Sequence, residues 1–198
     1  MTERIIQALD ESIGVHGSLK DERAAIVRSR DIIVQAFRSG NKLLLVGNGG
    51  AASDVQHMAA EFVATFKMKR PGLPAIALTS NASTLTAWTN DFSFDTVYAR
   101  QVEAFGKKGD VLIALSSGGG SLSPGLSSNV ALAAKKAREM GLVVIGLTGK
   151  TGGALKEIAD PCVVVKSQVT ARIQEAHITL LHIIIELVDE EMFGREAK

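Results

Sequence analysis

The chain has 198 residues, 46% of them apolar, with 22 lysines and arginines against 21 acidic residues. That length suits one α/β domain with helical additions, and the balanced charge gives no argument for nucleic acid or an anionic membrane as a partner. No apolar run is long enough to span a bilayer, and the longest, at 178–187, is interrupted by His182 and Glu186. Glu3, Arg4, Asp10 and Glu11 make a charged start unlike a signal peptide. A single cysteine, Cys162, excludes an internal disulfide and suits a reducing, cytoplasmic setting.

In chain order, residues 3–19 and 21–39 read as two helices, with Asp21 as an N-cap and Gly40 as a terminator. Leu9, Ile13, Leu19, Ile26, Ile33 and Phe37 give an apolar stripe, which covers a sheet or builds a subunit interface. The apolar run 42–46 is a short buried strand. It leads into Gly47-Asn48-Gly49-Gly50, where the glycines turn the backbone and leave N–H groups uncovered. A helix at 52–65 follows, so an anion could sit at its N-terminus. His57 and Glu61 lie about one turn apart on one face of it. Next come a strand at 75–78, a small polar stretch at 79–90 with a helical middle, and a helix at 94–105. A strand at 111–115, a Ser/Gly segment at 116–128 and a helix at 129–140 continue the alternation. A strand at 142–147, a loop at 148–153 with a short helix, a strand at 162–165 holding Cys162, and a long helix at 170–191 complete the chain.

Near-continuous Val/Ile/Leu strands alternating with helices predict a three-layer α/β fold around one doubly wound parallel sheet. The whole of 1–198 reads as one domain, with 1–40 as an N-terminal helical extension. Three strands run directly into small polar residues, at 47–50, 116–121 and 148–153. In a parallel sheet these loops share the carboxyl edge, where ligands bind at a topological switch point.

Three motif matches fail on their own terms. Gly47, Gly49 and Ala52 fit G-x-G-x-x-A, but the second strand ends Leu78-Thr79-Ser80-Asn81 without the carboxylate that holds a ribose. No nucleotide cofactor is therefore expected. Gly149-Lys150-Thr151 resembles the tail of a P-loop, yet its leading glycine position is Val144. No G-x-S-x-G elbow is present to support acyl transfer.

The helix at 170–191 places Gln174, His177 and His182 on a largely apolar element, where polar groups need partners. For His177 the expected partner lies across a helix–helix interface. His182, flanked by leucine and isoleucines, is the better site candidate. His57, Glu61, Gln174 and His182 together suit zinc in donor type, although glutamine is a less usual ligand. Acid/base work by Glu61 and His182 on a small substrate suits the spacing better.

The ordered set Gly47-Asn48-Gly49-Gly50, Gln56-His57-Met58-Ala59-Ala60-Glu61, Asn90-Asp91-Phe92, Arg100-Gln101-Val102-Glu103-Ala104, Gly109-Asp110-Val111-Leu112, Leu147-Thr148-Gly149 and Thr170-Ala171-Arg172-Ile173-Gln174-Glu175 resembles the phosphoheptose isomerases of the sugar-isomerase (SIS) domain superfamily. The resemblance implies a flavodoxin-like sheet and a cytoplasmic homotetramer with sites at subunit interfaces. It implies conversion of sedoheptulose 7-phosphate to glycero-manno-heptose 7-phosphate, on the way to nucleotide-activated heptose for lipopolysaccharide. By position, Glu61 would carry the proton between C1 and C2, His182 would be its acid partner, and His57, Glu61, Gln174 and His182 would hold zinc. Asn48, Gly49 and Gly50, Asn90 and Asp91, Ser116, Ser117, Gly118 and Ser121, and Gln174 would contact the phosphosugar, the serine loop holding its phosphate. Two departures stand out: Ala51 replaces a usual serine, and 122–127 lengthens the serine loop. They leave room for another phosphosugar substrate or a sensing role. A related SIS protein that binds a replication initiator without catalysis is the alternative, distinguished by the Glu61 and His182 kept here.

Overall fold

The central strands of the sheet alternate their side chains between two cores, which is why their sequences are largely apolar. The structure, a computed structural model, describes residues 2–194. Its strands are β1 (Leu43–Val46), β2 (Ala75–Ala77), β3 (Val111–Ser116), β4 (Val143–Gly149) and β5 (Cys162–Val165). All pair in parallel in the order β2-β1-β3-β4-β5. Leu43, Leu45, Ile113, Leu115, Ile145 and Leu147 face one core. Leu44, Val46, Leu112, Ala114 and Val144 face the other.

The first core is covered by α2 (Arg23–Arg38), α3 (Gly50–Val63) and α8 (Thr170–Phe193). The second is covered by α5 (Val97–Phe105), α6 (Ser128–Glu139) and α7 (Gly153–Ile158), with Leu85 and Trp88 of α4 (Ala82–Asp91) against its edge. Strand order reverses between β1 and β3, so the loops after these two strands diverge and open a crevice.

The N-terminal region divides. Ile26, Ile33 and Val34 of α2 are core residues. Helix α1 (Thr2–Ser18) buries none of its residues and rests on α8. Polar contacts hold it there: Ser12 Oγ donates to Glu175 at 3.0 Å, His16 Nε2 meets Thr179 Oγ1 at 3.0 Å, and Arg172 donates to the Ala8 carbonyl at 2.8 Å. The expected apolar stripe is therefore split, with Leu19 buried and Leu9 and Ile13 exposed.

Some boundaries differ from the sequence expectation. Asp21 lies in a 3₁₀ turn, Leu19–Glu22, and pairs with Lys166 rather than capping α2. The expected helix at 94–105 is a 3₁₀ turn at Phe94–Thr96 followed by α5, because the Ser93 hydroxyl accepts the Asp95 N–H and tightens the entry. Strand β4 continues through Gly149, where Thr148 and Gly149 still pair with Val164 and Val165. Contrary to the expected helix–helix contact, buried His177 turns to the sheet, its Nε2 3.2 Å from the Thr148 carbonyl. A carbonyl only accepts, so Nε2 carries the proton. Burial lowers the pKa of this imidazole from 6.5 to about 4, against the opposing pull of the Thr148 carbonyl.

Candidate active site

The crevice at the switch point holds a cavity of about 540 Å³, a size that suits a small ligand. Asn48, Gly49 and Ala52 line one side, and Gly125, Leu126, Ser127, Ser128 and Asn129 the other. Between them stand Thr79, Phe94, Asp95 and Tyr98.

Its walls are tied together by buried polar groups. The amides of Asn48 and Asn129 bond reciprocally across the crevice, at 2.8 and 3.0 Å. The Asn129 carboxamide oxygen also accepts the Val130 N–H at 2.9 Å, fixing the start of α6. Tyr98 donates its hydroxyl to the Gly47 carbonyl at 3.0 Å, and burial pushes its pKa up to about 12. Ser128 donates a short hydrogen bond to Asp95. The glycine turn works as the sequence predicts at Gly49, whose φ of +57° is left-handed.

A second cluster lies where α3 meets α8. His57 Nε2 stands 3.0 Å from Glu61 Oε1. The His57 ring meets the His182 ring edge-on, with centroids 5.1 Å apart, and His182 stacks on Phe66 at 5.3 Å. Asp54, one turn before His57, belongs to this group. Burial raises its carboxyl above the ordinary range, while the nearby imidazoles of His57 and His182 pull the other way. Gln174 lies against the first residue of α3: a Cβ at Gly50 would fall 2.6 Å from its Nε2. Gly50 is thus the gap through which Gln174 approaches the turn.

The structure sorts the expected residues unevenly. Asn48 and Gly49 line the cavity, while His57, Glu61 and His182 assemble beside α3, with Gln174 against Gly50. Ser116 ends β3 and is buried; Ser117, Gly118 and Ser121 do not line the cavity. The carbonyls of Gly119 and Gly120 are taken by the N–H groups of Leu155 and Ala154, so this part of the loop is seated on α7. The cavity wall comes instead from 125–129. Asn90 and Asp91 bond to each other at 2.8 Å on the exposed end of α4, away from the cavity lining. Ala51 is packed in the core, and its neighbour Ala52 faces the cavity.

Sequence reasoning missed Asp54, although its spacing of three and seven residues from His57 and Glu61 puts it on their face. Asn129 and Ser128 carried only a helix-start signal. Tyr98 and Asp95 carried none, because their role comes from the approach of distant segments.

As possible metal donors, His57, Glu61, Gln174 and His182 are right in kind for zinc. Among the described residues, however, no three His, Cys, Asp or Glu side chains are gathered closely enough to hold a metal ion.

A family model for the SIS domain matches residues 13–149. A phosphoheptose isomerase from Clostridium acetobutylicum is 50% identical over 167 residues, covering 84% of this chain and 82% of that protein. The chain belongs to the phosphoheptose isomerase family of SIS domain proteins. A second family member, from a Roseiflexus species, is 45% identical over 193 residues, 97% of this chain and 95% of that one. The solved phosphoheptose isomerase of Neisseria gonorrhoeae superposes with a TM-score of 0.85 at 38% identity, covering 96% of this chain and 98% of its own. That of Francisella tularensis gives 0.88 at 31% identity, with the same shares. The family's fold is thus the one found here, a five-stranded parallel sheet with helices on both faces.

Proposed function

We propose that this protein is an aldose–ketose isomerase that converts sedoheptulose 7-phosphate to a glycero-manno-heptose 7-phosphate. The observation that carries the reading is the meeting of Glu61 and His182 around His57, where α3 packs against α8. Glu61 takes a proton from C1 of the ketose while His182 gives one to O2, forming an enediol. Glu61 then returns its proton to C2, and His182 removes the O1 proton as the C1 aldehyde forms. Hydrogens are only redistributed, so no external oxidant is required. General acid–base assistance of this kind contributes about 10²–10⁴-fold in rate. The phosphate end would lie in the cavity, beside the bare turn at Gly49 and the start of α6.

Zinc at His57, Glu61, Gln174 and His182 belongs to the proposal as a charge that would polarise the carbonyl. The donors suit the ion in kind, but among the described residues no three His, Cys, Asp or Glu side chains come close enough to hold it, and the acid–base steps do not run through it. The exposed apolar row Ile5, Ile6, Leu9 and Ile13 is a surface that a homotetramer would cover. In that assembly Asn90 and Asp91, exposed on α4, would complete a neighbouring subunit's site. The product class fits the supply of nucleotide-activated heptose. A different seven-carbon or shorter phosphosugar is the second reading, favoured by the cavity wall that 125–127 builds.

A coupled assay with sedoheptulose 7-phosphate tests the proposal. Aldose formation is expected in wild type, and loss of at least about 10²-fold in Glu61→Gln. Inert wild type, with zinc supplied, across seven-carbon ketose phosphates would sink it.

A further inference from the structure

The loop between α3 and β2 returns a cation to the helix it has just left. The Arg70 side chain is fully buried, at 0% exposure. Its Nη2 donates to the Glu61 carbonyl at 2.8 Å and its Nη1 to the Phe62 carbonyl at 2.7 Å. These carbonyls lie in the last turn of α3, where no helical N–H follows to pair with them. The Leu73 N–H also reaches the Phe62 carbonyl, at 2.9 Å. The remaining edge of the guanidinium faces another helix, Nε donating to Asp189 Oδ1 of α8 at 2.8 Å. Asp189 is itself buried and stands two turns beyond His182 on the same side of α8.

One planar fork therefore grips the backbone of Glu61 and the helix that carries His182. We propose that Arg70 is a positioning residue for the isomerisation, bracing with Asp189 the Glu61 carboxylate against the His182 imidazole; this rests on the isomerase reading above. The brace demands arginine. Its donors point in several fixed directions at once, whereas a lysine ammonium is a compact point charge on a flexible stem. Asp189→Asn keeps the shape of the partner and removes its charge. Neither residue lines the cavity, so substrate affinity should be spared when the brace is weakened.

The test compares wild type with Arg70→Lys and Asp189→Asn, measuring kcat and KM for sedoheptulose 7-phosphate and amide hydrogen exchange. In both variants kcat should fall roughly tenfold or more while KM stays within about threefold. Exchange at the Ala64 and Leu73 amides, which bond to the end of α3, should quicken about tenfold while β3 and β4 keep their protection. Turnover within about twofold of wild type in either variant would overturn the proposal. So would unchanged exchange at those two amides, or a collapse of β3 and β4 protection that marks Arg70 as a residue of global stability alone. If wild type itself turns over no ketose phosphate, the isomerase reading fails separately, and exchange at Ala64 and Leu73 still decides whether the brace exists.

Discussion

The buried imidazole of His177 makes the stability of this protein depend on pH in a defined window. It is fully buried, its Nε2–H is given to the Thr148 carbonyl, and among the described residues its Nδ1 has no hydrogen-bond partner. Protonating Nδ1 would place a charge in the core, so the folded protein holds the ring neutral down to about 4, against 6.5 for an ordinary imidazole. Below 6.5 the unfolded chain binds a proton that the folded chain refuses. The contribution is therefore fully present above 6.5 and is lost as pH falls toward 4. At ~1.4 kcal/mol per pH unit, the shift from 6.5 to about 4 is worth about 3 kcal/mol. Urea denaturation of wild type and His177→Gln between pH 4 and 7.5 measures it. Glutamine can still donate to Thr148 but does not titrate, so wild type should lose about 3 kcal/mol more than the variant across the window. The raised carboxyls of Asp54 and Asp189 act in the opposite direction, losing their contribution as pH rises, but both remain in the variant and cancel. Equal pH slopes in the two proteins would refute the account.

Three further substitutions test the site. Gly50→Ala puts a methyl group 2.6 Å from the flexible end of Gln174; stability should hold or rise by up to about 1 kcal/mol, while turnover falls about ten- to a hundredfold as Gln174 is displaced. Unchanged kcat would separate Gln174 from the chemistry. Asn129→Ala orphans the Asn48 amide and leaves the Val130 N–H only its longer bond to the Ser127 carbonyl, which should cost about 1–3 kcal/mol in a denaturant titration and raise KM more than it lowers kcat. Gly119→Ala combines a φ of +76° with overlap on the Gly152 carbonyl, and its melting transition should report a loss of at least about 2 kcal/mol.

The sheet was legible because its central strands bury both faces and so read as unbroken apolar runs, as in Leu43–Val46. Helices were legible from their apolar spacing, but their ends depended on local bonds, such as the Ser93 hydroxyl that divides 94–105. Glu61 and His57 could be paired by counting along one helix. His182 could not be placed beside them by counting, since that contact requires α8 to pack against α3. The Ser/Gly segment 116–128 reads as a binding loop from its composition, but composition does not say which part reaches the cavity: Gly119 and Gly120 are engaged by α7, and 125–128 bound the cavity. Arg70 gave no signal at all, because its partner Asp189 lies 119 residues away.

The stretch from 121 to 127 is held between two pins. Upstream, Gly119 and Gly120 are bonded to the start of α7; downstream, Ser128 is bonded to Asp95 and Asn129 to Asn48. Exchanging the part of the span before Gly125, whose carbonyl receives Ser128, leaves both anchors and the sheet untouched, and halving or doubling the loop length changes closure entropy by only about 0.6 kcal/mol. Evolution or an engineer can thus retailor the mouth of the cavity, with Leu126 at its rim, without altering the helices that carry Glu61 and His182. What enters and what is done to it are encoded in separable parts of the chain.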